Sequence, residues 1–268
     1  MRDAMVNIVG TLNLLEAMRH VGVPRMIFAS TGGAVYGEQR HFPAGEQHPT
    51  TPLSPYGVAK LAVEHYLEYY RQVHGLRFAV LRYANVYGPQ QDPEGEAGVV
   101  AIFCGRILRG QRLDIYGDGE QTRDYVYVED VARANLLALK YLSLESIESA
   151  QSVESVESVA AIEHGIRTRY RLNGFNGRNR FNNVFNIGTG IETSVNALAA
   201  LLLEAADADC SVVHQPPRTG EQLRSVIDST LAQQVLGWRP SVCVNKGLAA
   251  TLAWFRTRQE AEAKLQSR

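Results

Sequence analysis

The chain has little cysteine, no excess of charge of either sign and no long apolar run. Its 27 lysines and arginines meet 28 aspartates and glutamates, for a net charge of −1. That balance leaves no electrostatic footprint for nucleic acid. The three cysteines, Cys104, Cys210 and Cys243, stand far apart and are odd in number. They fit neither a zinc spacing nor a disulfide framework, and they read as buried free thiols of a reducing cytosol, with no metal site. No apolar stretch approaches the length of a bilayer-spanning helix. The N-terminus, Met-Arg-Asp-Ala-Met-Val-Asn, has no apolar core before a cleavage site and is not a signal peptide. The expectation is a cytoplasmic protein with neither a membrane nor a nucleic-acid partner. What remains is ordinary globular composition: 268 residues, 45% hydrophobic and 21% charged. That length supports one large domain or two small ones with a substantial core, and the composition excludes disorder of the whole chain.

Periodicity supplies the elements. Ile8, Val9, Leu12, Leu14, Leu15 and Met18 form a wide apolar stripe, so Val6 to Met18 reads as a helix. After a Gly-Val-Pro turn, Met26 to Ser30 reads as a short buried strand. Pro55 to His74 is helical, with Pro55 suited to its first turn. Phe78 to Tyr83 is the next strand, and strand–helix–strand at this spacing is a βαβ unit of a parallel sheet. Further along, Val99 to Leu108 reads as a helix, Asp124 to Val128 as a strand and Glu129 to Tyr141 as a helix. Val184 to Ile187 reads as a strand, and Ser194 to Ala206 as a helix that Ser194 can cap. Ser229 to Leu236 and Leu248 to Gln259 read as the last helices. One segment breaks the order: Ser143 to Ser158 is a near-repeat of Glu-Ser pairs, followed by a stretch rich in Arg, Asn and Gly. Residues 143–182 read as a low-complexity surface insertion, helical at first.

Chemistry concentrates at strand ends. Tyr56 and Lys60 in Tyr56-Gly-Val-Ala-Lys60 share one helix face at i and i+4. A phenol is a poor base at neutral pH, with an ordinary pKa of about 10. A lysine held close favours the phenolate and makes a general base. Upstream, Phe28-Ala-Ser-Thr-Gly-Gly-Ala-Val-Tyr-Gly37 is a strand that ends in small hydroxyl residues and glycines. Downstream, Leu81-Arg-Tyr-Ala-Asn-Val-Tyr-Gly-Pro89 is again strand then turn, with Asn85 at its end. Ligands of open α/β sheets bind outside the carboxyl ends of strands, so polar groups gathered there define a site.

These runs resemble the NAD-dependent epimerase/dehydratase family. So do Gly117-Asp-Gly-Glu-Gln-Thr-Arg-Asp-Tyr-Val-Tyr-Val-Glu-Asp130, Phe185-Asn-Ile-Gly-Thr-Gly190 and Pro217-Arg-Thr-Gly-Glu221. Motifs in this order cover nearly the whole chain outside the insertion, and the likeness is to the UDP-glucose 4-epimerase branch. The resemblance implies NAD as cofactor, a UDP-sugar as substrate and a homodimer through helices Val6–Met18 and Pro55–His74. It makes Tyr56 the base and places Lys60 on the nicotinamide ribose. Thr31 or Ser30 polarises the sugar 4-oxygen, with Thr31 favoured. Ser30, Asn7 and Tyr83 fall on the cofactor side. Asn85, Arg123 and Arg218 fall on the substrate diphosphate, where an arginine fork suits two oxygens at once. Val99, Val100, Ile115 and Tyr116 line the uridine pocket, with the valines equally readable as plain core, and Glu221 contacts the ribose. Ser225 stands where pocket size is set, and its small side chain suggests room for an N-acetyl group. The implied mechanism takes the 4-hydroxyl proton onto Tyr56 while hydride passes to NAD. The keto sugar then turns, and hydride returns to its other face. Dehydratases of the family carry an Asp-Glu pair before Val-Tyr-Gly, and decarboxylases a glutamate; here Gly33 and Ala34 stand there and supply no acid.

The fold implied is α/β: an incomplete, Rossmann-like doubly wound parallel sheet whose first strands are missing, with a smaller C-terminal α/β substrate-binding region. Residues 1–95, joined by 124–142 and 183–206, are expected to form the sheet half, and 96–123 with 207–268 the substrate region. The family's strand–Gly-x-x-Gly-x-x-Gly–helix, which cradles the pyrophosphate, has no counterpart in this sequence. Gly188-Thr-Gly190 has Thr193 in place of the third glycine and reads as a structural turn. The expectation is a chain that starts inside the family's fourth helix, with an open edge on strand Met26–Ser30. A misplaced start, a missing N-terminal segment or chain that docks, and a catalytically silent remnant that keeps only the UDP-sugar half are the three readings of that.

Overall fold

The computed structural model describes residues 1–94, 98–151, 183–218, 220 and 222–266, with the side chains of 145–151 and 266 left aside. Most of the expected insertion, and Glu221, lie outside the described residues. A π-helical stretch, Ala4–Val9, runs into α1, Gly10–Val21, so the first helix is longer than its apolar stripe alone indicates. Gly22 ends it in the left-handed conformation, at φ 74°. Strand β1, Arg25–Thr31, leads into the short turn of helix α2, Gly32–Val35. Helix α3, Pro55–His74, starts where proline fits and where Ser54 Oγ accepts from the Gly57 N–H at 3.1 Å. Gly75, at φ 70°, ends it. Then follow β2 (Arg77–Tyr83), β3 (Asn85–Tyr87), α4 (Val99–Leu108), β4 (Leu113–Tyr116), β5 (Thr122–Tyr127) and α5 (Val128–Gln151). The chain finishes with β6 (Val184–Ile187), β7 (Glu192–Ser194), α6 (Val195–Ala206), β8 (Val212–Gln215), β9 (Arg224–Ser225), α7 (Thr230–Leu236) and α8 (Val244–Gln266).

Strands β1, β2 and β6 form a parallel sheet in the order β1-β2-β6, with Ser30 opposite Arg82 and Thr31 opposite Tyr83. Phe78 to Arg82 of β2 are all buried, as a central parallel strand covered on both faces requires. One face packs Phe28, Phe78 and Val80 against Leu15 and Met18 of α1 and Val63, Leu67 and Tyr70 of α3. The other packs Ala79, Leu81, Phe185 and Ile187 against Ala134 and Ala138 of α5 and Val235 and Leu236 of α7. Helices on both faces of a parallel sheet are the doubly wound arrangement. Among the described residues β1 pairs only with β2, so its other edge is open, and Ala29 in mid-strand is exposed.

A second core lies beyond the strand ends. Val100, Phe103 and Cys104 of α4, Leu113 and Ile115 of β4, Leu198 and Leu202 of α6, and Leu248 and Leu252 of α8 pack with Tyr87, Tyr125 and Tyr127. This corrects the expected division in two places. Helix α6 belongs to the second core, because its buried stripe faces α4 and α8. Helix α7 and Trp238 belong to the sheet, where Trp238 is fully buried and donates its indole N–H to the Asp130 carbonyl at 2.8 Å. Strands β3, β4, β7, β8 and β9 were not visible in the sequence, being too short to show a period of two. The cysteines also differ from expectation: only Cys104 is buried, while Cys210 is intermediate and Cys243 exposed. Among the described residues no helix is long and apolar enough to cross a membrane.

Two buried carboxylates tie the cores together. Asp124 accepts from the Thr189 N–H at 2.8 Å, the Thr189 hydroxyl at 2.6 Å and the Gly190 N–H at 3.0 Å, which makes the turn after β6 an anchored structure. Asp130 accepts from the Ser241 N–H (2.9 Å), the Ser241 hydroxyl (2.6 Å) and the Val242 N–H (3.0 Å), and it pairs with Arg133. Burial alone would raise the Asp130 pKa, but these donors outweigh it and hold it below the ordinary value. A carboxylate depressed in the folded state contributes stability above its unfolded pKa of about 3.9 and loses it as pH falls through the folded value. The Asp130→Asn variant is therefore expected to be less stable than the parent at pH 7 and to lose less stability on acidification. Urea unfolding as a function of pH measures both, and identical acid limbs in the two proteins would refute the assignment.

Candidate functional site

The carboxyl ends of β1 and β2 and the first turns of α3 bring together the polar groups singled out in the sequence. Tyr56, second residue of α3, is 42% exposed. Lys60, one turn on, is half-buried and donates from Nζ to the Ala29 carbonyl at 3.1 Å, on the open edge of β1. Its ammonium lies 4.8 Å from the Phe28 ring centre and 5.7 Å from that of Tyr56. The expected activation of the phenol by the lysine is not in place in this structure. Burial, with the Asp3 carboxylate adding to it, raises the Tyr56 pKa, and burial lowers that of Lys60. Asn7 sits half-buried in the π-helical stretch, which packs on α3. Such π turns recur at functional sites.

Thr31 and Ser30, neighbours in sequence, part company. A Cβ placed on Gly33 would stand 3.5 Å from Asn85 Oδ1 and 3.9 Å from Thr31 Oγ1, so these two side chains border one space that Gly33 leaves clear. Ser30 is 3% exposed and donates its hydroxyl to Glu64 Oε1 at 2.5 Å. The reading of Ser30 as a hydroxyl for the sugar or the cofactor is corrected: strand alternation turns it toward α3, and its proton is already engaged. Tyr83 is half-buried, and its hydroxyl donates to Asn135 Oδ1 of α5 at 3.0 Å.

The residues expected on the nucleotide divide in the same way. Arg123, on β5, donates from Nη1 to the Thr122 carbonyl at 2.8 Å and stands opposite Ser225 of β9 in the strand register. Ser225 is buried. The guanidinium carbon of Arg218 lies over the Tyr116 ring, 3.8 Å from its centre, and both residues are exposed. Val99 is half-buried. Val100 and Ile115, each 1% exposed, belong to the second core and offer no lining surface, so their placement in a uridine pocket is corrected. Among the described residues no group of His, Cys, Asp and Glu could hold a metal ion.

Several residues that position this site carry no role in the sequence reading. Arg82 is 2% exposed inside β2 and pairs with Glu64 of α3 at 2.6 Å; a charged residue within an otherwise apolar buried strand is the signal that could have revealed it. Ile227 is wedged against the turn after β1: a Cβ on Gly32 would meet its Cδ1 at 2.7 Å, and one on Gly188 would meet its Cγ1 at 2.6 Å. Gln222 donates to the Gly37 carbonyl, and Gln39 Oε1 accepts from the Val226 N–H at 3.0 Å. Residues 222–228 are thus fastened to the segment that follows Thr31.

A parallel sheet covered by helices on both faces, with polar groups gathered at its strand ends, is the doubly wound α/β class of fold. Residues 2–147 match the model of the NAD dependent epimerase/dehydratase family, and the chain belongs to that family. It is 39% identical over 258 residues to the UDP-glucose 4-epimerase of Mycolicibacterium smegmatis, covering 96% of this chain and 71% of the relative. The crystal structure of UDP-glucose 4-epimerase from Thermotoga maritima with UDP-glucose is 45% identical, with a TM-score of 0.78 over 96% of this chain and 72% of the other. The UDP-glucose 4-epimerase of Thermus thermophilus, in complex with NAD, is 41% identical, with a TM-score of 0.74 over 94% of this chain and 70% of the other.

The arrangement of Tyr56 and Lys60 has a direct consequence for titration. In the ligand-free chain the phenol should titrate above about 10 and the ammonium below about 10.4. Carbon-13 NMR of labelled tyrosine and lysine checks this; a Tyr56 phenol titrating well below its ordinary value would show that Lys60 reaches it after all.

Proposed function

We propose that the chain is a nucleotide-sugar epimerase that interconverts UDP-hexoses at C4 with NAD as cofactor. The observation that carries this reading is the space bordered by Thr31, Asn85 and Gly33, with Tyr56 and Lys60 on the adjoining helix. Tyr56 takes and returns the proton of the sugar 4-hydroxyl, and Thr31 donates a hydrogen bond to the same oxygen as charge develops on it. Lys60, freed from the Ala29 carbonyl, supplies the positive charge that favours the phenolate. Arg123 and Arg218 hold the diphosphate, and Asn85 orients it. Gly33 and Ala34 offer no general acid, which supports epimerisation over loss of a hydroxyl. For NAD, the exposed Tyr56 hydroxyl and the Lys60 ammonium suit the ribose next to the nicotinamide. When bound, NAD would supply the hydride acceptor. The likeness to enzymes solved with UDP-glucose and with NAD supports both assignments.

A second reading is favoured by one specific observation: the sequence contains no Gly-x-x-Gly-x-x-Gly to cradle a pyrophosphate. On that reading the chain binds a UDP-sugar and does not turn it over. One experiment separates the two. Purified protein is examined for bound nicotinamide by absorbance, then given NAD and UDP-galactose while UDP-glucose is followed by NMR. The epimerase reading expects turnover that falls about a hundred- to ten-thousand-fold in Tyr56→Phe and about a hundred-fold or more in Thr31→Val. Binding of the UDP-sugar to a folded chain without turnover at saturating NAD would establish the second reading instead.

We also infer a homodimer. Met5, Val6, Val9 and Leu14 are exposed along the first helix, and Val58, Tyr66, Tyr69 and Val73 along α3, which is a large apolar area for a solvated surface. Sedimentation equilibrium is expected to give twice the chain mass, and Tyr69→Glu with Val73→Glu to give the single mass. A monomeric parent would rule the dimer out.

A further inference from the structure

We infer that the buried Glu64–Arg82 pair, completed by the Ser30 hydroxyl, is a positioning device that sets Tyr56 and Lys60 against Thr31. The inference rests on the reading of Tyr56 and Lys60 as the reacting pair and assigns no contact with substrate to Glu64, Arg82 or Ser30.

Tyr56, Lys60 and Glu64 fall at i, i+4 and i+8 of α3, on one helix face. Glu64 is the end that is locked. Its Oε2 accepts from Arg82 Nη2 at 2.6 Å, and its Oε1 accepts from Arg82 Nε at 3.1 Å and from the Ser30 hydroxyl at 2.5 Å. Ser30 lies between Ala29, whose carbonyl takes the Lys60 ammonium, and Thr31. The same helix face therefore grips two consecutive residues of β1, and Thr31 is the next. Arg82 holds the third part: its Nη1 donates to the Tyr36 hydroxyl at 3.0 Å, and Tyr36 ends the turn that begins at Thr31. The Tyr36 hydroxyl in turn donates to Asn186 Oδ1 at 2.7 Å. One guanidinium is thus in contact with the helix that carries Tyr56 and, through the Tyr36 hydroxyl, with the turn that begins at Thr31, while Ser30 ties the strand to the same carboxylate.

The chemistry of the pair suits positioning better than stabilisation. A buried ion pair often contributes less to stability than well-packed apolar residues of the same volume. What a two-pronged guanidinium–carboxylate contact adds is direction and register. A slide of α3 by one residue moves it about 1.5 Å along β1 and would break all three contacts to Glu64. An offset of about 1 Å is enough to cost a reacting pair on the order of a hundred-fold in rate.

The test compares Ser30→Ala, Ser30→Thr and Glu64→Gln with the parent in the full chain. Three things are measured: the Tyr56 and Lys60 titrations by carbon-13 NMR, the unfolding midpoint, and turnover of UDP-galactose with NAD. Burial is what lowers the Lys60 pKa, so a positioning role expects Ser30→Ala and Glu64→Gln to move its titration up toward the ordinary value of about 10.4 as the ammonium leaves its half-buried place against β1 for solvent. Ser30→Thr, which keeps the hydroxyl, should restore the parent titration. Should Glu64→Gln fail to fold, Ser30→Ala still decides, because it leaves the ion pair intact. Variants that unfold more readily but keep the parent titrations would overturn the proposal and leave the pair a purely structural one. In an active parent, Ser30→Ala should lower kcat by about ten-fold with KM nearly unchanged. A loss as large as that of Thr31→Val would place Ser30 on the substrate and also overturn it. An inactive parent defeats the functional reading alone, since the titrations decide the positioning role without turnover.

Discussion

The guanidinium of Arg82 is buried within the central strand of the sheet, with the residue 2% exposed, so the protein has to be built around its charge. Burial disfavours that charge, but the Tyr36 hydroxyl and the Glu64 carboxylate hold its pKa above the ordinary value. Tyr36 bears the converse effect, its phenol pushed up to about 12 by burial. Removing one member of such a pair leaves an uncompensated buried charge, at a cost of about 3–5 kcal/mol. That penalty disfavours any seating of α3 on β1 that parts Glu64 from Arg82. From this pair the network reaches Asn186 on β6, whose backbone N–H donates to Glu46 Oε1 at 2.8 Å and whose side-chain amide donates to the Ala44 and Asp228 carbonyls. Helix, all three sheet strands, the loop after Tyr36 and the C-terminal segment are thereby fastened to one polar cluster.

How legible this was depended on the kind of interaction. The parallel sheet was readable because Phe78 to Tyr83 and Val184 to Ile187 are compact apolar runs flanked by helices with a clear stripe. Helix α3 was readable to the residue, since Ser54, Pro55 and Gly75 are chemical punctuation. The short strands of the second region were not, because β9 has two residues and β3 and β7 three each, which is less than one full alternation on each face. The division into two cores was misjudged for a related reason. Periodicity tells which face of α6 is apolar but not which partner it meets, and α6 meets α4 and α8.

Within the site, residue type was legible and direction was not. Ser30 and Thr31 carry the same functional group at adjacent positions, and only the strand's alternation decides that one faces α3 and the other the strand-end space. Lys60 was expected beside the phenol because i and i+4 share a face. A lysine side chain is long enough to reach past that neighbour, and the unpaired Ala29 carbonyl is the stronger acceptor on offer. An open strand edge thus competes directly with Tyr56 for the ammonium. Val100 and Ile115 show the reverse error: they are in the right elements, but their side chains point into the second core.

The glycines after β1 resolve into two separate requirements. Gly32 has no room for a Cβ because Ile227 fills the place where one would go, and Gly188 has none because the Asp124 carboxylate and Ile227 together crowd it, at 2.5 and 2.6 Å. Those two glycines let the C-terminal segment close on the sheet. Gly33 is different. Its missing Cβ would meet nothing closer than Asn85 Oδ1 at 3.5 Å, so the space in front of it is open and lined by polar groups. A side chain at position 32 would push Ile227, and with it the run from Gln222 to Asp228, away from Thr31. One at position 33 would fill the candidate site directly. Adjacent glycines that look equivalent in sequence therefore meet different demands, and the packing glycine keeps the C-terminal segment seated against the turn that borders the candidate site.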